Sequence, residues 1–126
     1  MNKERTYMLD LDILHPMFPT KPEKVERLHL WVRQSRSFIH PLVILKTTSE
    51  QWLREQKARP DILDPPKVSD PKQTIYQIRA GHNRLALLKE WGSTHAQCYV
   101  FDNLLDAGDE MAHQTKWQKR VNESLD

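Results

Sequence analysis

The chain holds one cysteine, Cys98, and only three glycines in 126 residues. A lone thiol excludes an internal disulfide and any multi-cysteine metal site, and makes a reducing compartment the expectation. No apolar run approaches the ~20 residues that cross a bilayer. No secretory-type apolar stretch follows residues 1–5 either, so the expected location is cytoplasmic, with no membrane partner. Charge of one sign is not in excess: 19 basic against 17 acidic residues leave a net charge of +2. Without an overall field, any DNA contact would have to be local, through residues such as Arg33, Arg36, Lys57 and Arg59.

What is present fits one domain with a thin core, because apolar residues make up 38% of the chain and charged residues 29%. Residues 7–11 alternate as a short strand, and the prolines between His15 and Pro22 enforce a loop. Thr20, Pro22 and Glu23 then form a capping pattern for a helix to about Ser35, with Val25, Leu28, Trp31 and Val32 on one face. After Pro41, the continuously apolar Leu42 to Leu45 reads as a buried strand. Thr48 and Gln51 repeat the capping pattern ahead of a short helix. Residues 59–72 carry four of the eight prolines and read as an exposed, mobile part of an insertion spanning about 47–73. A strand over 74–79, a helix over 82–91 closed by Gly92, a strand over 95–101 and a helix over 106–123 complete the expected order.

The junction at Gly81 is the most informative point. A strand pattern ends there and a helix begins, and the first N–H groups of a helix have no internal partners and carry the positive end of its dipole. Such a place stabilises an anion such as phosphate. Arg84, in the first turn, would add a planar fork of donors that fits phosphate oxygens, or it is an ordinary surface arginine.

The order of these segments resembles the ParB/sulfiredoxin superfamily. The resemblance rests on Lys24-Val25-Glu26-Arg27-Leu28 in the first helix, Pro41-Leu42-Val43-Ile44 entering a strand, Gly81-His82-Asn83-Arg84, the apolar Leu85 to Leu88, Gly92 and the final strand. It spans about residues 1–102, apart from the insertion, and leaves 103–126 as a C-terminal helical tail. The implied fold is α+β: a short mixed sheet flanked by helices, plus that tail. By residue-by-residue carry-over Lys24 and Arg84 would hold nucleotide phosphates, with ATP or CTP and Mg²⁺ as the implied ligands. Arg27, one turn from Lys24, would join it or pair with Glu23. Asn83 would donate to phosphate, accept from a base or cap the helix, and His40 would contact base or ribose.

His82 stands where sulfiredoxins keep a nucleophilic cysteine, which argues against sulfinic-acid reduction. A histidine beside phosphate would act as general acid or base, ligate a metal, or bond locally without chemistry. Segregation-type relatives continue into a helix-turn-helix reader, which these 126 residues are expected not to contain. Three functions remain: a Mg²⁺-dependent nuclease, nucleotide hydrolase or NTP-dependent phosphotransferase with His82 catalytic, a nucleotide-gated module whose C-terminal helix serves a homodimer or protein partner, and a DNA-associated accessory protein.

Overall fold

The computed structural model describes residues 6–35 and 40–124, with side chains at 34–35 and from 117 onward excepted. Five strands, β1 (Tyr7–Asp10), β2 (Leu14–Pro16), β3 (Leu42–Thr48), β4 (Thr74–Ala80) and β5 (His95–Phe101), form one sheet in the order β1-β5-β3-β4-β2. β1 with β5 and β3 with β4 run antiparallel, whereas β5 with β3 and β4 with β2 run parallel. Four helices surround it: α1 (Pro22–Ser35), α2 (Ser49–Ala58), α3 (His82–Glu90) and α4 (Leu104–Ser124). This is a small α+β fold with a mixed sheet. No helix among the described residues is long and apolar enough to cross a membrane.

The central strands are apolar on both faces because both are covered. Leu42 and Ile44 of β3 join Ile78, Ala96, Cys98 and Val100 in a cluster that Leu85 of α3 closes, and Leu87 extends the packing to Val25 and Leu28 of α1. On the other face Val43 and Phe101 meet Ala107 of α4. Cys98 is fully buried, and burial pushes its thiol up to about 12, so it is an inert core residue.

The helix ends follow local chemistry. Thr48 Oγ1 accepts from Gln51 N–H at 3.2 Å, as a helix cap does. Asn103 and Asp106 cap α4 reciprocally, with Asp106 N–H donating to Asn103 Oδ1 at 2.9 Å and Asn103 Nδ2 donating to Asp106 Oδ2 at 3.1 Å, which starts the helix two residues before the expected Asp106. Gly92, at φ 75, closes α3 in a Schellman arrangement: Ser93 N–H reaches Leu88 O and Gly92 N–H reaches Lys89 O, both at 3.0 Å. The cap of α1 differs from the expectation. Val25 N–H bonds Lys21 O at 3.1 Å, so Lys21 rather than Thr20 stands before the first turn.

Two expectations are corrected. The loop read from His15 begins as β2, because its pairing with β4 lets Leu14 join the main core. Residues 59–72 contain no helix or strand, but they are not a loose excursion. Ile62 is buried with Met17, Trp52 and Ile75, Leu63 N–H donates to Met17 O at 2.7 Å, and Trp52 Nε1 donates to Leu63 O at 2.9 Å. Ile62, with Val68 packed beside its cluster, and a few hydrogen bonds anchor a segment whose composition is that of a linker.

Candidate functional site

β4 hands over to α3 at Gly81, whose φ is 109. Only glycine adopts that conformation without strain, and a Cβ there would collide with Leu42 Cδ2 and lie 3.2 Å from Arg84 Cζ. The first intrahelical bond of α3 is Leu85 N–H to Gly81 O at 2.8 Å. The N–H groups of His82, Asn83 and Arg84 precede it and form the open, electropositive end of the helix. α1 brings Lys24 and Leu28 to this end and α4 brings Met111, Gln114 and Thr115, enclosing a cleft of about 240 Å³. Lys24 is exposed and makes no ion pair among the described residues.

Lys24, Gly81, His82, Asn83 and Arg84 therefore come together as the sequence suggests, whereas Arg27 and His40 do not line the cleft. Arg27 is exposed on α1. The His40 ring meets His113 edge to face, with centroids 6.2 Å apart, and burial, then the charge of Arg84, lowers its pKa.

Arg84 is not a free phosphate fork. Its side chain is buried, and Nη1 donates to His40 O at 3.1 Å and Pro41 O at 3.0 Å. Burial draws its pKa down to about 10, with Glu110 of α4 opposing that shift. Arg84 fixes the entrance to β3 and adds positive field to the cleft.

His82 does not have the geometry of a general base. Its Nε2 accepts Met17 N–H at 3.0 Å, so its lone pair is occupied and the ring proton sits on Nδ1. Burial, then Arg84 and Arg79, push its pKa down to about 4, against a hydrogen bond to the Ile78 backbone. At neutral pH it is an uncharged pin. Phe18 packs edge-on against it, with ring centroids 5.5 Å apart. Asn83 does a similar job, as its Oδ1 accepts Lys21 N–H at 3.0 Å and leaves the amide Nδ2 as its donor end. Together the two residues tie the start of α1, and hence Lys24, to the start of α3.

Among the described residues no group of three His, Cys, Asp or Glu side chains is placed to hold a metal ion. Asp10 accepts Asp12 N–H at 2.9 Å in the 3-10 turn after β1.

A larger cleft of about 360 Å³ lies between α2 and the start of α4. Its charges cancel in pairs: Lys46 with Asp102 at 3.6 Å, Arg54 with Glu50 at 3.7 Å, and Arg79 with Glu55 at 2.9 Å. Size favours it, but the open helix end and the unpaired lysine favour the smaller cleft as an anion site.

Sequence reasoning missed the α4 wall. The sequence of that helix pointed to packing, a homodimer or a protein partner, and nothing in it signalled that Gln114 and Thr115 face the glycine turn.

No family model matches the chain, and no curated protein matches it. Solved structures do. A conserved hypothetical protein from Pyrococcus furiosus is 20% identical over 80% of this chain and 34% of its own, with a TM-score of 0.52. Free serine kinase in complex with AMP is 21% identical over 77% of this chain and 31% of its own, with a TM-score of 0.50, and a variant of that kinase with ADP gives the same values. These likenesses show the fold alone. The chain spans about a third of the length of each.

Proposed function

We propose that this chain is a nucleotide-binding domain of the ParB/sulfiredoxin kind, holding the ligand's phosphates at the open end of α3 beside Lys24. The observation that carries this reading is the convergence on one cleft of three first-turn N–H groups, an unpaired lysine and the donor end of Asn83. The AMP and ADP complexes of a kinase that shares the fold support a nucleotide as the ligand. The site fits phosphate: its donors are preformed, and the missing Cβ at Gly81 lets Leu42 and Arg84 pack against the turn that presents them. A divalent cation there would be held through phosphate oxygens and water rather than by a protein cage.

Phosphoryl transfer is the second reading, favoured by the kinase relationship of the fold neighbours. His82 is not its base, so a reaction at this site would rest on positioning and charge neutralisation. No structural observation favours a nuclease or a DNA-bound accessory role. Lys57 and Arg59 lie at the end of α2, Arg33 at the end of α1, and Arg36 outside the described residues.

Thermal denaturation with ATP, CTP, GTP, ADP, AMP and inorganic phosphate, each with and without Mg²⁺, tests the reading. A ligand at ~100 times its Kd adds about 2.7 kcal/mol, a rise of several degrees in Tm for a domain of this size. No shift with any nucleotide or phosphate at millimolar concentration would overturn it. Phosphate release or transfer from ATP then separates catalysis from binding.

A further inference from the structure

The donors of the phosphate site are held by groups that do not line the cleft. Residues 17–21, between β2 and α1, are stitched twice to the start of α3: Met17 N–H donates to His82 Nε2 and Lys21 N–H to Asn83 Oδ1, both at 3.0 Å. The same stretch starts α1, because Lys21 O accepts from Lys24 N–H at 2.9 Å and from Val25 N–H at 3.1 Å. Pro16, Pro19 and Pro22 stiffen it by fixing φ at every third position. Both donor sources, the first turn of α3 and Lys24, therefore hang on one short stretch of chain.

A second stretch braces the first from outside. Ile62 shares a buried cluster with Met17, Leu63 N–H donates to Met17 O at 2.7 Å, and the Arg59 guanidinium lies 5.3 Å from the centre of the Phe18 ring. Phe18 in turn meets His82 edge to face. Trp52 Nε1 donates to Leu63 O at 2.9 Å, so a chain of hydrogen bonds runs from α2 through Leu63 and Met17 to His82, the first residue of α3. None of residues 59–63 lines the cleft. We propose that residues 59–63 are a positioning element of the ligand site: through Met17 and Phe18 they fix where the first N–H groups of α3 and Lys24 stand, and so raise the affinity for phosphate without touching it. Donors held in place before the ligand arrives lose less freedom when it binds. This positioning role rests on the phosphate site proposed above.

Calorimetric titration with AMP and with inorganic phosphate, under conditions where each protein is fully folded, tests it. Ile62→Ala removes the packing on Met17, and Phe18→Leu removes the ring between Arg59 and His82. Each is expected to bind both ligands at least about fivefold more weakly than the unaltered chain. Two controls should stay within about twofold of it: Phe18→Tyr, which keeps the ring, and Leu9→Ala, a partly buried position of β1 at the opposite edge of the sheet from β2. Leu9→Ala separates positioning from a general loss of stability. Unchanged affinity in either Ile62→Ala or Phe18→Leu, or an equal loss in the two controls, would overturn the positioning role. The Phe18 pair decides it where Ile62→Ala does not fold. Binding that survives every substitution removes the positioning role alone, whereas failure of the unaltered chain to bind either ligand removes the phosphate site as well.

Discussion

At the scale of single residues, the side chains of His82, Asn83 and Arg84 hold the frame of the cleft by bonding to Met17, Lys21 and the His40–Pro41 backbone. Gly81 was legible because a glycine between a strand pattern and a helix pattern has few other uses, and its φ of 109 agrees. His82 and Arg84 were legible only as polar residues beside it. What occupies them comes from 65 and 44 residues away in the chain, Met17 and His40, and no local pattern encodes such partners. The His82 arrangement predicts a pH dependence. Its folded pKa of about 4 lies below the ordinary 6.5, so the unfolded chain takes up the proton first. The contribution of the neutral ring to stability is therefore complete above pH 6.5 and drains away as the pH falls toward 4. The loss is at most about 3 kcal/mol. His15 and His40 are shifted in the same direction, so the comparison needs a variant that keeps an acceptor for Met17 N–H without titrating. Urea denaturation of the wild type and His82→Gln from pH 7 to 4 should show the wild-type advantage shrinking. Parallel curves would mean that His82 is not held neutral by this packing.

Elements were legible where propensity and tertiary structure agree. The α3 stop at Gly92, the strand after Pro41 and the Thr48 cap all follow from local chemistry. β2 was not legible, since a three-residue strand containing a proline is defined by its parallel pairing with β4 rather than by its own pattern. Nor was the anchoring of residues 59–72, because composition reports polarity averaged over a segment and Ile62 is a single side chain. That anchoring yields a prediction at the scale of the element. Ile62→Ala removes a fully packed side chain from between Met17, Trp52 and Ile75 and should cost about 2–4 kcal/mol in chemical denaturation. Leu105→Ala, at a position 76% exposed, should stay within about 0.5 kcal/mol. Equal effects would mean that the segment does not belong to the folded core.

At the scale of the molecule, the α+β class with a mixed sheet agrees with what the resemblance implied, while the pairing order β1-β5-β3-β4-β2 was not legible. Strand order depends on which faces are covered, and that emerges only when α2 and α4 settle on one side of the sheet and α3 on the other. The same arrangement makes two clefts toward opposite ends of β3, one bordered by Leu45, Lys46 and Thr47 and the other at the Gly81 turn that packs on Leu42. The second of these is the proposed ligand site. Backbone amide chemical shifts followed by NMR during titration with AMP discriminate between them most directly. The amides of His82, Asn83 and Arg84 are expected to shift, with Lys24 close behind, and to lose that response in Lys24→Ala. Shifts confined to Lys46, Gln51 and Glu55 would contradict the account.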